Sequence, residues 1–517
     1  MNNLGNSFLT RFERLGQLND LEDAISRQRD AVNLAPNYHP EKPGYLNNLG
    51  NSFRVSFKRL RRPNDLEDAI SRQRDAINLT PNDHPYKPSY LNNLGHSFLA
   101  RFEHSGQPND LEDAISRQRD AVSLTPDGYP QKPSHLISLG DSFVTRFERL
   151  GRRPSDMEHA ISLYLRAASD LFGLPGVRFR ASQRWISCAR RTHHHSLLHA
   201  HSVVVSLLPQ LAWNGLPLSD RYSEPARSAD VVREAAAAAL ESGFPETAVE
   251  WLEQGRSIVW GDLLQLRSVF KELFSAHPSH ARRLEELSAA LDHASATHEK
   301  SMSAPSEETG TVRASLREEA DRHRKLAIER DELLQEIRRL PGFERFLLQK
   351  QFSQLRASAH SGPVVMLNAA ESRCDALIIL ADVDHVIHVP LPDFTLKRSV
   401  GLQNILNGFI RHARDGLRPR PFPHVSWKDI LSQLWKYVVK PVLDSLALSV
   451  RKVELLTFTA DLFTDQIPGD FSRIFWCPTG PFMFLPIHAA GLHEAIGRAR
   501  GRGVPFSHWV PFIHLGL

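Results

Sequence analysis

The ten residues Leu-Glu-Asp-Ala-Ile-Ser-Arg-Gln-Arg-Asp occur three times, at 21–30, 66–75 and 111–120, with an offset of 45 residues each time. A second block, Leu-Gly-Asn-Ser-Phe or a near variant, keeps the same step through Gly5, Gly50, Gly95 and Gly140. This strict period constrains the fold more than any other feature of the chain. A unit of that length cannot bury a core alone, so the units must stack. A stacked array reads as a binding scaffold before it reads as an enzyme.

The second copy, from Tyr45 to Pro85, shows what the unit is. Leu46, Leu49, Phe53 and Phe57 step by three or four residues, which is one apolar stripe on a helix. Gly50 lies on the same side, where a small residue lets a neighbour approach. Pro63-Asn64-Asp65 interrupts the pattern, and Asp65 is expected to N-cap a second helix. Leu66, Ala69, Ile70, Gln73, Ala76 and Ile77 predict that helix's buried face, with Gln73 the polar exception. Leu79-Thr80-Pro81-Asn82 is expected to end that helix, and Pro85 and Pro88 to keep the next connection extended. Each unit is therefore an antiparallel helix pair. The fourth copy keeps Gly140, Ser142, Phe143 and Phe147, gains one residue, and replaces the decamer from Asp156 to Ile161. Met1 stands where Leu46 stands, inside a first helix, so the start reads as a fragment or a displaced start.

Leu49-Gly50 followed by Ala69, Ala76 and Pro81 resembles the tetratricopeptide repeat, whose usual length is about 34 residues. The longer unit, with Leu-Asn-Asn-Leu in its first helix, is similar to repeats of kinesin light chains and related adaptors. The resemblance implies a concave groove lined by first-helix positions. Here these are Asn2, Asn6, Asn47, Asn51, Asn92 and His96, an amide ladder suited to an extended peptide backbone. The plainer role for such residues is bonding to adjacent helices or to solvent. Arg72 and Arg74 read as a solvated face laced with Glu67, Asp68 and Asp75.

The totals narrow the class. The 517 residues exceed one ordinary core, and 63 basic against 59 acidic side chains give a net charge of +4, so no nucleic-acid partner is implied. Cys188, Cys374 and Cys477 form no C-x-x-C pair, which suits a reducing, cytoplasmic setting without a disulfide framework or zinc ribbon. The first residues lack the basic and apolar regions of a signal peptide. No apolar run is long enough to span a membrane. His193, His194, His195, His199 and His201 invite a metal reading, with His195 and His199 at i, i+4. No carboxylate or cysteine completes the set, so a solvated helix surface is expected and no metal or cofactor is assigned.

From about residue 165 the chain stays helical in pattern but loses the period. Between 276 and 355 it is charged with sparse leucines. Leu284, Leu287 and Leu291, then Leu326, Leu333, Ile337 and Leu340, give two short heptad seams, with a polar break from Ser301 to Thr311. These predict a long helical hairpin of coiled-coil character. Beyond Pro341 the period changes. Val364 to Leu367, Ala376 to Leu380 and Val386 to Val389 read as strands. Helices are expected over 397–414 and 427–446, with Pro441 kinking or splitting the second. Ile474 to Trp476 and Phe482 to Ile487 flank a turn at Pro478-Thr479-Gly480. Alternating strands and helices predict an α/β sandwich.

Ile474 to Gly480 followed by Phe484-Leu485-Pro486-Ile487-His488-Ala489-Ala490 resembles the core of the CHAT domain, a caspase-like domain associated with tetratricopeptide repeats. The order of parts is similar to the expanded repeat-plus-CHAT proteins of fungi. Active members of that family cleave peptide bonds with a cysteine thiolate activated by a histidine. The resemblance places these in a His-Gly and an Ala-Cys segment downstream of residue 490. No His-Gly dipeptide occurs in the chain. Cys477 and His488 do not substitute by motif, Cys374 and Cys188 read as core thiols, and His508 and His514 have no cysteine placed near them.

The expected fold is multidomain. Tetratricopeptide-like helices fill 1–165, divergent helical repeats 166–275, a charged hairpin 276–355, an incomplete α/β caspase-like sandwich 356–493, and an atypical tail 494–517. The partial sheet is expected to leave an unpaired edge. The expected function is a protein-binding scaffold without peptidase activity and with no catalytic residues assigned. The alternatives are a caspase-like cysteine endopeptidase, should a longer gene product exist, and a cargo adaptor of the kinesin-light-chain type. The sequence does not set the oligomeric state.

Overall fold

The structure, a computed structural model, describes residues 1–213, 223–264, 272–301, 316–348, 350–414, 426–446, 474–491 and 493. It forms two compact units. The first holds the described residues up to 213 and those from 272 to 346, and the second holds 223–264 and the described residues from 347 onward. The expected tail from 494, with His508 and His514, and the polar break after Ser301 lie outside the described residues.

The first unit opens with five helix pairs. They are α1 (Asn2–Leu15) with α2 (Leu18–Leu34), α3 (Lys42–Leu60) with α4 (Pro63–Asn78), α5 (Lys87–Ser105) with α6 (Pro108–Leu124), α7 (Lys132–Arg149) with α8 (Pro154–Ser169), and α9 (Pro175–Thr192) with α10 (Leu197–Trp213). Proline starts these helices rather than stopping their neighbours. Pro63, Pro108 and Pro154 open α4, α6 and α8, where the missing N–H is no loss. Asp65 is therefore the third residue of α4 and not its N-cap. Each such Asp takes a donor from the preceding helix. Arg11, Arg101 and Arg146 bond Asp20, Asp110 and Asp156 at 2.8, 2.6 and 2.6 Å, and Ser56 Oγ bonds Asp65 at 2.6 Å. Arg101 and Arg146 also reach back to Glu67 and Glu112 of the previous pair at 2.9 Å.

The connection between pairs is a compact turn, not the extended linker that its prolines suggest. Lys87 and Pro88 already belong to α5. Lys42, Lys87 and Lys132 fold back, and their Nζ atoms donate to the carbonyls of Ala35, Thr80 and Thr125 at 2.6, 2.7 and 2.8 Å. A cation thus satisfies a carbonyl at or just past each helix end, where the dipole favours it.

In each of the first three pairs a glycine of the first helix lies close against a glutamine of the second. A Cβ on Gly5, Gly50 or Gly95 would sit 2.7, 2.7 or 2.6 Å from Cγ of Gln28, Gln73 or Gln118. Gln73 is fully buried. Its Nε2 donates to Asn51 of its own pair at 3.1 Å, and its Oε1 accepts from Ser97 of the next pair at 2.7 Å. Gln118 likewise accepts from Ser142 at 2.6 Å. The polar exception on the buried face thus joins the second pair to the third and the third to the fourth, whereas the equivalent atoms Gln28 Oε1 and Ser52 Oγ between the first two pairs make no such bond. In the fourth pair Tyr164 takes the glutamine's place against Gly140, and its hydroxyl donates to Asp141 at 2.6 Å. Around these joints Ile70, Leu94, Phe98 and Ala114 close a dry core.

Still within the first unit, the helices Pro278–Ser301 and Leu316–Ile337 pack on each other as the hairpin expected from the leucine seams, with Leu284, Leu287 and Ile337 buried.

The second unit is built on a four-stranded sheet ordered β3-β2-β1-β4, with β1 (Val364–Ala369), β2 (Cys374–Ile379), β3 (Ile387–Pro390) and β4 (Phe475–Pro478). β1 pairs antiparallel with β2 and parallel with β4, Val364 facing Ile379 and Phe475. Alternation sends Val365, Leu367, Ala376 and Ile378 into one core with Phe394, Ile430, Leu434 and Phe482. That face is covered by the helix Leu396–Arg414 and by 427–445. The latter passes through a π-helical turn, Trp435–Val439, before Pro441. A wider turn is how a helix continues past a residue without an N–H. Residues 480–484 form a 3-10 helix, not the expected strand, and Phe482 stacks on Phe394 with ring centroids 5.2 Å apart.

The pair Ser223–Glu241 and Pro245–Leu264, read from sequence as a continuation of the repeats, groups instead with the sheet. Asn368 Nδ2 donates to the Arg233 carbonyl at 3.0 Å, and the amides of Phe352, Glu371 and Val386 donate to Glu250, Glu234 and Glu246 at 2.7, 2.7 and 3.0 Å. Acidic side chains on this pair thus cap loop amides around the sheet.

The glycine joint gives a direct test. Gly50→Ala will lower stability by about 1–3 kcal/mol, because both Gln73 and the Ala69 carbonyl, 3.0 Å away, oppose the new methyl. Gly176→Ala in α9, which meets nothing within 4 Å, will cost nothing measurable. Equal urea denaturation midpoints for the two variants would refute the joint.

Candidate binding face of the helical array

The first-helix residues expected to line a groove are not equally available. Asn47 is fully buried and accepts a bond from Asn93 of the next pair at 3.0 Å. Asn2 does the same for Asn48 at 3.4 Å. Asn6 and Asn51 accept from Gln28 and Gln73. These four amides hold helices together. His96 replaces Asn51 in the third pair, and its Nε2 shares a 3.2 Å bond with Ser138 Oγ. The swap leaves Gln118 Nε2 without an acceptor. Asn92 Oδ1 is buried and unpartnered, as are Asn47 Nδ2 and Arg54 Nε.

Arg54 sharpens the electrostatics of this face. It lies one turn beyond Asn51 on α3, with Lys58 one further turn on. Burial holds the Arg54 guanidinium below its ordinary value, and Glu13 is its one opposing charge. Burial and then Arg54 lower Lys58 as well. Burial, Arg54 and Lys58 together push His96 down to about 4. Three basic groups from α3 and α5 therefore share one patch with two carboxylates, Glu13 beside Arg54 and Glu103 beside Lys58, and the Arg54 Nε has no hydrogen-bond partner. Sequence reading missed Arg54 and Lys58. The second copy carries Arg54 where the other copies carry Leu9, Leu99 and Val144, and that local break in the period is the signal that would have found it.

Within the histidine-rich stretch the His194 and His195 rings meet, with centroids 4.1 Å apart. His193 is a left-handed helix end, and His195 precedes the helix that carries His199, so the two are not helical neighbours. His194 bonds Ser196 at 2.7 Å and faces Glu158 at 3.3 Å. His199 meets Trp185 edge-on. His201 is buried with both ring nitrogens unpartnered, and burial, then Arg190, push it down to about 3. Among the described residues no three His, Cys, Asp or Glu side chains are placed to hold a metal ion.

In the second unit Cys477 sits on β4, half-buried, with Arg256 Nη1 3.9 Å from its sulfur. Burial raises the thiol's pKa, which Arg256 only partly offsets. His488 is exposed in the helical segment that follows, and among the described residues no hydrogen bond joins it to Cys477. Cys374 and Cys188 are buried in cores, and burial raises them to about 12 and about 11. None of the three is an activated nucleophile in this arrangement. A cluster that sequence reading did not single out lies on β2 and β3. Buried Asp375 accepts from Arg373 at 2.7 Å and faces His388 Nε2 at 2.8 Å. The carboxylate holds Arg373 above its ordinary value.

Two outcomes follow. His96 and His201 are neutral in the folded chain while the unfolded chain binds protons near pH 6.5. Their contribution is complete above that pH and is lost as pH falls toward about 4. Melting temperature will drop between pH 7 and 4.5, and His201→Leu will flatten the slope. An unchanged slope would show that His201 is not buried neutral. For Cys477, iodoacetamide labelling will be slow at pH 7.5, rise past about pH 9, and be indifferent to His488→Ala. Dependence on His488 would reveal a dyad. No family model and no curated protein matches the chain.

Proposed function

We propose that the array is a protein-binding scaffold of the tetratricopeptide type, and that its inner first-helix face takes an acidic segment of a protein partner in the cytoplasm. The observation that carries this reading is Arg54: a guanidinium held below its ordinary value by burial, its Nε unpartnered, near Lys58 and His96. A buried donor without an acceptor is costly, and a ligand carboxylate supplies one. The rest of the amide ladder contributes shape, since Asn2, Asn6, Asn47 and Asn51 already serve the helix joints. The α/β region resembles a CHAT domain, and in this reading it acts without peptidase chemistry, because its thiols are held protonated.

The test uses the full chain and fluorescein-labelled decapeptides rich in glutamate, with glutamine versions as controls. Glutamate peptides will bind, and Arg54→Ala combined with Lys58→Ala will weaken them at least about tenfold, as will about 0.5 M salt. Equal binding of the glutamine peptides, or indifference to the double substitution, would overturn the reading. Asn47→Ala is a poor probe, because it also breaks the bond to Asn93.

A further inference from the structure

The inner face of the array is basic at two separate places. From α1 to α7 its positions recur every 45 residues. α9 joins the series at a step of 43, since Arg184 and Arg191 pair with Asp141 and Glu148 of α7 at 2.9 and 2.7 Å. The row of Asn47 and Asn92 therefore continues to Ile137 and Arg180, and the row of Arg54 continues to Leu99 and Val144. One basic end is Arg54 with Lys58 on α3. Glu13 and Glu103 lie near them, yet among the described residues neither carboxylate is bonded to its cation. The other basic end is α9, where Arg180, Arg184 and Arg191 are all exposed. Asp141 and Glu148 take up Arg184 and Arg191, and Asp141 also accepts the Tyr164 hydroxyl at 2.6 Å. Arg180 is left over. Asp141 feels its charge, but among the described residues no hydrogen bond or ion pair holds it. Between the two ends the rows of Asn47 and Arg54 are uncharged, at Asn92, Leu99, Ile137 and Val144, with Glu103 and Glu148 in the neighbouring row of Lys58.

We infer, resting on the function proposed above, that the ligand is a bipartite acidic segment. One acidic block sits on Arg54 and Lys58, an uncharged middle crosses α5 and α7, and a second acidic block sits on Arg180. The first helices of successive pairs stand roughly 10 Å apart, so three steps separate the two basic ends by about 30 Å. An extended chain covers that distance in about nine residues. A uniformly acidic segment fits less well, because its middle would run alongside Glu103 and Glu148 and be repelled. Exposed ion pairs are individually weak, so neither end selects a ligand by itself. Joined on one chain, the second block meets its site at a high effective concentration, and that advantage vanishes when the chain between the blocks cannot span the sites. Spacing, more than total charge, is therefore what the face reads.

The test uses the full chain and three fluorescein-labelled peptides, read by fluorescence polarisation at about 0.1 M salt. The first carries one Glu-Glu block on a Gly-Ser chain, the second carries two such blocks about nine residues apart, and the third carries the two blocks about three residues apart. The widely spaced peptide will bind at least about tenfold tighter than the one-block peptide. Arg180→Ala will erase that gain, and the closely spaced peptide will not show it. Arg180 is exposed, so an unchanged melting temperature of the variant separates loss of binding from loss of fold. If the one-block peptide binds through Arg54 and Lys58 while a second block adds nothing at either spacing, the bipartite ligand is refuted and the function proposed above stands. Equal affinity for the two spacings also refutes it, since the attraction would then follow total charge. Binding of none of the three peptides overturns both.

Discussion

The array depends on one close contact, the seating of a glutamine side chain on a glycine. Gly50 has no Cβ, so α4 approaches until Gln73 lies against the α3 backbone. At that distance the amide is sealed from water and must find both partners within the protein. It donates to its own pair through Asn51 and accepts from the next through Ser97. Close approach within a pair and registration between pairs therefore have the same cause. The fourth pair is informative because glutamine, asparagine and the contact change together. Tyr164 fills the place of the glutamine, and Asp141 replaces the asparagine as acceptor for its hydroxyl.

This economy limits what the inner face offers to a ligand. Amides that a sequence pattern presents as a ladder are mostly committed to helix–helix bonds. What remains includes amide atoms of the repeat itself, Asn47 Nδ2 and Asn92 Oδ1, and groups at departures from it. His96 in place of asparagine, and Arg54 in place of an apolar residue, leave donors and acceptors that the array does not satisfy. Repetition builds the scaffold here, and its interruptions create chemistry.

The second unit solves a different problem. β1 is buried along its whole length, so its two faces need separate covers. One comes from helices that follow it in sequence, including a helix that widens into a π turn ahead of Pro441. The opposite face meets the helix Ser223–Glu241, whose backbone takes the Asn368 amide. Glutamates from that pair, not from the sheet's own connections, cap the neighbouring loop amides.

Much of this was legible locally. The 45-residue step required stacked helix pairs, and the apolar stripes named their buried faces, because periodicity reports which side of a helix meets a neighbour. The strands from Val364 and Cys374 were legible for the same reason. The N-cap was misplaced by three residues, at Asp65 and not Arg62, since proline can open a helix as readily as precede one, and the segment after Gly480 curled as Phe482 stacks on Phe394. What only the tertiary structure decided was partnership. Whether Asn47 faces a ligand or Asn93, and whether the pair at 223–264 extends the array or covers a sheet, depends on contacts between residues 46 to 140 positions apart. Local pattern fixes the side on which a residue is buried, and the approach of distant segments fixes what it is buried against.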